Sequence, residues 1–265
     1  MSANASEAPS ITIERDGHVL LIGINRPHKR NAFTVDAYER LGLAYGELDR
    51  DPNLFCGVLH AHGDHFTGGL DLVDWSSVIT GGALPVREGG LDPVGVFTPR
   101  VRKPVVCAVQ GICYTIGFEL LLSSDVRIAA PSLSMAQLEV KRGIYPFGGA
   151  TLRMHREIGW SNAMRWMLTG DAMTADEALR LGLVSEIVPQ ASLLDRAKEL
   201  AHSIAKQAPL AVQAVMASSQ IVEREGQAAA TARLFPDLQK LLASDDAREG
   251  VASFIERREA RFTGK

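Results

Sequence analysis

Short apolar segments with strand character alternate with helical segments along the first half of the chain. This alternation restricts the fold more than any other feature of the sequence. Two β-rich runs flank Asp16-Gly17, a dipeptide typical of hairpin turns. Residues 55–61 and 104–110 have the apolar composition of short buried strands, and residues 34–51 have apolar side chains at helical spacing. Strands that alternate with helices predict an α/β core with crossover connections.

After residue 150 the pattern becomes helical, with one strand-like break at residues 184–189. Residues that commonly cap helices stand at the expected ends. The N-caps are expected at Thr34, Ser161 and Thr174, and the C-terminal stops at Gly170 and Gly182. Residues 76–95 are rich in Gly and Pro and have no clear periodicity, which predicts a long loop, either a substrate-facing lid or a plain surface loop.

Composition excludes several classes of protein. The net charge is −3 and the pI about 6.2, so no general basic field favours nucleic acid. No window approaches the roughly 18 consecutive apolar residues of a membrane span. The three cysteines form no CxxC motif, and an odd number of thiols without a signal peptide favours a reducing cytoplasm.

Glu119 is an ionisable residue inside an apolar run that extends from residue 104 to residue 130. A buried charge is costly unless it is paired or neutralised, so this carboxyl group either points to solvent or is held in a pocket for a purpose. Glu139 is a second carboxylate flanked by apolar residues. Two glutamates in one pocket can act on one water molecule as base and acid. A glutamate at a helix start can also simply complement the helix dipole.

Glycines crowd two segments, residues 66–72 and 114–120, and each follows a predicted strand. Gly-rich turns and helix N-termini present free backbone N–H groups. Two such groups that converge on one point form an oxyanion hole. The first segment lacks the glycine pattern of a dinucleotide-binding or P-loop site. On spacing alone, a glutamate that complements the helix dipole is the favoured interpretation of Glu119. An anion-stabilising catalytic site is the alternative, and a dinucleotide- or phosphate-binding site is less favoured than either.

Five blocks of the sequence resemble the successive landmarks of the crotonase superfamily, the enoyl-CoA hydratase/isomerase family. They are residues 25–34, 62–72, 108–130, 136–150 and 246–265. Together they span essentially the whole chain after about residue 10, in the order and spacing of the family. The small and polar side chains of residues 1–9 predict a flexible tail. The resemblance implies an α/β fold with a spiral of β-β-α units at 10–200 and a helical C-terminal oligomerisation region at 201–265. Trimers, often paired into hexamers, are the assembly that the family implies.

The resemblance also implies a reaction on an acyl-CoA thioester, with no cofactor because coenzyme A is part of the substrate. Glu119 and Glu139 match the two glutamates with which hydratases hold the attacking water, and Glu139 is the usual proton donor to the α-carbon. The backbone N–H groups of Leu70 and Ile116 match the oxyanion hole. Seven residues match positions around CoA and substrate: Lys29, Arg30, Ala32, Gly68, Gly69, Asp71 and Leu72.

Some positions depart from the family pattern. Leu70, Thr115 and Ile116 stand where the family often has small residues, and Leu138 stands where it often has proline. A backbone N–H group does not require glycine, so the oxyanion hole can persist, while the bulkier side chains can reshape the acyl pocket.

Two groups of side chains have a second interpretation. His60, His62 and His65 suggest a metal site, but no carboxylate at diagnostic spacing completes a ligand set, and we predict no metal. Asp71 is either a third catalytic acid or a residue that orders the oxyanion loop by accepting backbone hydrogen bonds, which we favour.

We therefore expect a cytoplasmic enzyme that hydrates a trans-2-enoyl-CoA and binds neither nucleic acid nor membrane. The first alternative is a Δ3-Δ2-enoyl-CoA isomerase, which shuttles one proton with one carboxylate. A hydrolase or decarboxylase on the same oxyanion hole is a further alternative, because one fold hosts many chemistries. A catalytically silent relative that binds acyl-CoA is the last. The presence of both Glu119 and Glu139 favours the hydratase.

Overall fold

The computed structural model of the protein describes residues 9–97 and 100–265. Its strands are β1 (Ile11–Asp16), β2 (Val19–Ile24), β3 (Cys56–Ala61), β4 (Val105–Val109), β5 (Ile112–Tyr114), β6 (Val126–Ala129), β7 (Ser134–Ala136), β8 (Met173–Thr174) and β9 (Glu186–Ile187). Its α-helices are α1 (Val35–Arg50), α2 (Leu72–Gly81), α3 (Ile116–Ser123), α4 (Ala150–Ile158), α5 (Trp160–Thr169), α6 (Ala175–Leu181), α7 (Leu193–Ala205), α8 (Pro209–Glu225), α9 (Gln227–Leu242) and α10 (Asp245–Glu256). The tail predicted at residues 1–9 lies outside the described residues, apart from Pro9.

The larger of two sheets has six strands in the order β1-β2-β3-β4-β6-β9. The strands β1 and β2 form an antiparallel hairpin, and every later neighbour in this sheet is parallel. The hairpin turns at Gly17, whose φ of 59° lies in the left-handed region that glycine tolerates. This confirms the hairpin that Asp16-Gly17 predicts.

A second layer runs beside the first and is built from short extended segments. The strand β7 lies between β5, which is parallel to it, and β8, which is antiparallel. Isolated bridges extend this layer from Cys113 to Thr67 and from Leu70 to Phe33. Each turn of the chain thus places a strand in the large sheet, a short segment in the second layer and then a helix. The predicted spiral of β-β-α units is confirmed.

The large sheet is apolar on both faces. In β2, Leu20, Ile22 and Ile24 belong to the main core between the layers, whereas Val19 and Leu21 belong to a smaller core under α7. This division follows from the alternation of side chains along a strand. Burial on both faces is typical of parallel sheets and explains the continuous apolar runs of the sequence.

Most of the predicted helix ends are confirmed. Thr34 caps α1 by accepting the Ala37 N–H, and Thr174 forms a capping box with Glu177 at α6. The stops at Gly170 and Gly182 are in the left-handed conformation. The N-cap expected at Ser161 is wrong: α5 begins at Trp160, because Gly159, with φ of 80°, ends α4 and starts α5.

Two further expectations need correction. Part of the loop predicted at residues 76–95 is helical, because α2 extends to Gly81. Its side chains at Leu72, Trp75 and Val78 follow helical spacing, and Trp75 is fully buried. The helical half also has a second strand besides β9, since β8 consists of two residues and is too short to leave a periodic signal.

The C-terminal part of the described chain is helical, as expected. Within it, α7 packs on β2, β3 and β4, whereas α8 and α9 pack mainly on each other. Residue 200, the expected division between core and C-terminal region, lies within α7, and the division remains a prediction. In the described residues, no helix is long and apolar enough to cross a membrane.

Candidate active site

Glu119 lies in the first turn of α3, as predicted, and every residue of this helix is buried. The carboxyl group is 2% exposed, and its Oε1 accepts a hydrogen bond of 3.2 Å from the Ala150 N–H, at the start of α4. A Cβ atom on Gly148 would overlap the Glu119 Oε2, so only glycine leaves room for the carboxyl group. The Glu119 carboxyl group therefore packs against the Gly-rich turn at residues 148–149.

The surroundings of Glu119 favour its neutral form. Burial raises the pKa of Glu119 to about 8, and the negative charge of Glu139 adds to this effect. The backbone N–H groups of Ala150 and Gly148 and the positive charge of Arg153 act in the opposite direction. The net result is a carboxylic acid that titrates in the range where enzymes use acids and bases.

Glu139 is the first residue of a short 3-10 helix, Glu139–Arg142, and is 6% exposed. Burial raises its pKa to about 7. The side-chain nitrogen of Gln137, assigned from hydrogen-bond geometry, donates to both Glu139 carboxylate oxygens at 3.1 Å. Glu139 lies nine residues before Gly148, which packs against the Glu119 carboxyl group, and the charge of Glu139 contributes to the raised pKa of Glu119.

Arg153 supports the turn beneath Glu119. Its guanidinium donates to the Val94 carbonyl at 2.7 Å, and it lies against Gly149, where a Cβ atom would overlap its Nη1. The side chain thus fastens the 148–149 turn to a neighbouring loop. Neither Arg153 nor Gln137 was identified from the sequence. The position of Arg153 on the first turn of a helix after a Gly-rich turn was an available signal, but Gln137 had none.

The two predicted oxyanion-hole amides occupy adjacent segments. Ile116 is the first residue of α3, where N–H groups lack intrahelical partners. Leu70 bridges Phe33, but the bonds of that bridge use the Gly69 carbonyl and the Asp71 N–H. Across residues 9–97 and 100–265, neither the Leu70 nor the Ile116 N–H donates to another main-chain group outside the helices and strands. Both N–H groups therefore remain candidates for the predicted oxyanion hole.

Thr115 holds the two segments at close range. It has φ of 50° and ψ of −113°, a conformation that non-glycine residues rarely adopt and that costs roughly 1–3 kcal/mol. A Cβ atom on Gly69, whose φ is 111°, would lie 2.5 Å from the Thr115 Oγ1. Glycine at 69 thus allows the Thr115 hydroxyl to pack beside the chain that carries the Leu70 amide.

The residues expected around CoA lie on two neighbouring segments. Lys29 and Arg30 are exposed, and the Arg30 carbonyl accepts the Gly68 N–H at 2.8 Å. Ala32 stands on the first of these segments, and Gly69 and Leu72 on the second, with Leu72 being 55% exposed.

The sequence predicted backbone N–H groups as the hydrogen-bond donors to Asp71, and this prediction was wrong. Its carboxylate accepts a hydrogen bond of 3.0 Å from the Arg26 guanidinium rather than from backbone N–H groups. Arg26 also donates to the Ala32 carbonyl at 3.2 Å. The ion pair therefore links the two segments that were expected around CoA.

The three histidines have individual environments. Burial lowers the pKa of His60 to about 4, and His62 adds to the effect. The Nε2 of His62 is 2.8 Å from the Thr12 hydroxyl, and the Nδ1 of His65 accepts the Ile112 N–H at 3.3 Å. Within the described ranges, no group of three His, Cys, Asp or Glu side chains is arranged to hold a metal ion.

Comparison with known proteins defines the class. The family model for enoyl-CoA hydratase/isomerase matches residues 14–265. The fold is the crotonase fold, and the chain belongs to the enoyl-CoA hydratase/isomerase family.

Individual relatives match over nearly their full length. The enoyl-CoA hydratase EchA19 of Mycobacterium tuberculosis is 33% identical over 99% of this chain and 100% of its own. A short-chain-enoyl-CoA hydratase of Clostridium acetobutylicum is 31% identical over 95% of this chain and 97% of its own. A crystal structure of a probable enoyl-CoA hydratase/isomerase from Mycobacterium abscessus superposes with a TM-score of 0.94 at 48% identity, covering 97% of this chain and 99% of the other.

Proposed function

We propose that the protein is an enoyl-CoA hydratase that adds water across the double bond of a trans-2-enoyl-CoA. The observation that carries the proposal is the pair of buried glutamates, Glu119 and Glu139, whose pKa values are both raised toward neutrality. Glu119 lies in the first turn of α3, which begins at Ile116, one of the two residues whose backbone N–H groups are proposed to bind the anion. The names of the full-length relatives support the same reaction.

In this proposal the thioester carbonyl oxygen lies between the Leu70 and Ile116 N–H groups. They polarise the conjugated system, so C3 becomes electrophilic. Water held by the neutral Glu119 and the ionised Glu139 attacks C3 and gives one proton to the Glu139 carboxylate. The electron pair of the double bond moves into an enolate, whose oxygen charge the two N–H groups stabilise. Glu139 then delivers a proton to C2, and the product is the 3-hydroxyacyl-CoA.

The CoA portion of the substrate is proposed to lie along the neighbouring segments at residues 29–32 and 68–72. Lys29 and Arg30 are exposed cations that can meet its phosphates. Asp71 acts by holding these segments together through Arg26 rather than as a catalytic acid. The reaction requires no cofactor, since coenzyme A is part of the substrate.

The main rival within the family is the Δ3-Δ2-enoyl-CoA isomerase, for which one carboxylate suffices. The second buried carboxyl group favours the hydratase, because a structure with no use for it would keep a costly ionisable group in an apolar site. The catalytically silent relative is disfavoured for the same reason.

The test is direct. Purified protein is mixed with crotonyl-CoA and with trans-2-decenoyl-CoA, and the loss of conjugated-enoyl absorbance is followed. A separate reaction starts from trans-3-decenoyl-CoA, where an isomerase produces conjugated absorbance. Hydration in the first assay supports the proposal. Turnover only in the second identifies an isomerase, and turnover in neither contradicts both the hydratase and the isomerase.

We also propose that the protein assembles as a trimer or hexamer in the cytoplasm. The helices α8, α9 and α10 expose large apolar side chains, which is typical of association surfaces. They are Val215, Val222, Leu234, Phe235, Leu238, Leu242, Val251, Phe254 and Ile255. The three cysteines are free and buried, which suits a reducing compartment.

A further inference from the structure

A cavity of about 450 Å³ lies between α2 and the segment at residues 143–147. Its walls are mainly apolar and rich in aromatic rings. The lining includes Trp75, Val78, Leu84, Phe97, Tyr145 and Phe147. Such a lining, without a charged side chain, suits a hydrocarbon ligand.

The two segments that form the cavity walls each continue, along the chain, into residues of the candidate active site. On one side, α2 begins two residues after Leu70, which carries an oxyanion-hole amide. On the other side, the Ile144 N–H donates to the Glu139 carbonyl at 3.2 Å. Phe147 immediately precedes Gly148, against which the Glu119 carboxyl group packs. An acyl group held at the two amides therefore has this cavity as its apolar continuation.

We infer that the preferred substrate carries an apolar acyl chain of at least eight carbons rather than the four carbons of a crotonyl group. This inference rests on the proposed function. At about 30 Å³ per non-hydrogen atom, the share of a water molecule in the liquid, the cavity holds roughly fifteen such atoms. A crotonyl group has a single methyl group beyond its double bond and leaves most of the apolar wall in contact with water.

The inner end of the cavity is rigid. Trp75 is 0% exposed, and its indole N–H donates to the Phe33 carbonyl at 2.9 Å. The Trp75 ring also packs edge-on against Tyr38, with the ring centroids 5.2 Å apart. The outer end is formed by Phe97 and Tyr145, which are 64% and 66% exposed. An acyl chain that extends outward from the end at Trp75 reaches the rings of Phe97 and Tyr145 and covers their apolar surface.

The first measurement is kcat/KM for trans-2-enoyl-CoAs of four, six, eight and ten carbons. Each methylene that leaves water for the cavity should raise kcat/KM by about fourfold. We expect the ten-carbon substrate to exceed the four-carbon one by at least about 10²-fold. Hydration of crotonyl-CoA with equal or lower kcat/KM for longer substrates would overturn the inference and leave the hydratase proposal standing. Hydration of none of the four would contradict the proposed function itself.

The second measurement locates the tail. Val78 is a half-buried wall residue of α2, and Val78→Phe fills part of the cavity. We expect the ratio of kcat/KM for ten-carbon over four-carbon substrate to fall at least about tenfold. The matched control is Ile13→Phe, on the exposed side of β1, where the ratio should be unchanged. An unchanged ratio in a Val78→Phe variant with wild-type melting and mass would show that the tail binds elsewhere.

Discussion

Glu119 and Glu139 are two buried carboxyl groups, and the proton that they keep is the basis of the proposed chemistry. Burial raises both pKa values, to about 8 and about 7, and the charge of one raises the pKa of the other. Groups coupled in this way titrate as a pair. At neutral pH the pair keeps a proton, so it can supply one carboxylic acid and one carboxylate to the same water molecule.

Replacing either glutamate by glutamine removes an acid–base group and keeps nearly the same shape. We expect Glu119→Gln and Glu139→Gln each to lower turnover by roughly 10²-fold or more, the scale of positioned proton transfer. Binding of a saturated acyl-CoA, measured by calorimetry, should persist. The control is Glu88→Gln, at an exposed loop position. Wild-type turnover in the variant that combines Glu119→Gln with Glu139→Gln would rule out the two-carboxylate mechanism.

The raised pKa of Glu119 also predicts a pH-dependent stability. Between its ordinary pKa of 4.5 and about 8, the unfolded chain has lost this proton while the folded protein keeps it. The folded state binds more protons in this window, so its free energy of unfolding falls as pH rises. Glutamine is neutral in both states, so the free energy of unfolding of Glu119→Gln does not fall with pH for this reason. At about pH 7, Glu119→Gln should therefore be more stable than wild type by about 2–3 kcal/mol.

The measurement for this prediction is urea unfolding of both proteins at about pH 5 and about pH 7. The advantage of Glu119→Gln should shrink toward the lower pH, where the unfolded glutamate is also largely protonated. The Glu88→Gln control should show no pH-dependent difference. A constant difference between Glu119→Gln and wild type at both values would mean that Glu119 is ionised in the folded protein.

Sequence reasoning located the two glutamates but not their supports. Glu119 was identifiable because a carboxylate inside an apolar run has few structural explanations. Gln137 gave no such signal, because a polar residue near a turn is usually a surface residue. The signal at Arg153, its place in the first turn of a helix after a Gly-rich turn, is weaker than a carboxylate inside an apolar run. The roles of Gln137 and Arg153 depend on which segments the fold brings together. Arg153 hydrogen-bonds both to Gly148 and to Val94, and Val94 is close to it only in the tertiary structure.

At the scale of elements, the start of α3 and the bridge at Leu70 carry the two N–H groups that are proposed to form the oxyanion hole. The Leu70 N–H has no part in the bridge to Phe33, so removing it costs no ladder hydrogen bond. We expect Leu70→Pro to lower turnover by about 10²–10³-fold, as the loss of one oxyanion-hole donor does.

The matched control is Leu70→Ala, which shortens the side chain and keeps the donor. It should keep most of the turnover and shift the preference among acyl chain lengths. Both variants must first show wild-type melting and oligomer mass, since proline can also disturb the turn at Gly69. A well-folded Leu70→Pro variant with undiminished turnover would remove Leu70 from the oxyanion hole.

The elements themselves were predictable where a local signal was strong. The cap at Thr174 and the stop at Gly182 follow from side-chain and backbone chemistry within a few residues of each helix end. The helix α2 was missed in part, because its last residues adjoin a Gly-rich loop and the apolar spacing is clear only when Leu72 and Trp75 are included. Ser161 does not cap α5, because Gly159 is the N-cap and the helix begins at Trp160.

At the scale of the whole molecule, the exposed apolar side chains of α8, α9 and α10 predict self-association. Phe254 is 85% and Ile255 73% exposed on α10. Light scattering at micromolar concentration should give a mass of three or six chains, whereas a monomer near 28.6 kDa would contradict the assembly. Phe254→Glu should reduce the mass. The control Ile13→Glu, on an exposed strand, should not.

The central claim is that Glu119 and Glu139 add a solvent water molecule to an enoyl-CoA. The most direct measurement is turnover of trans-2-decenoyl-CoA in H₂¹⁸O, with the product analysed by mass spectrometry. The account predicts a 3-hydroxyacyl-CoA with one ¹⁸O atom at C3 for wild type, and at least about 10²-fold slower labelling for Glu119→Gln and for Glu139→Gln. A conversion without ¹⁸O, or labelling that survives when both substitutions are combined, would contradict it.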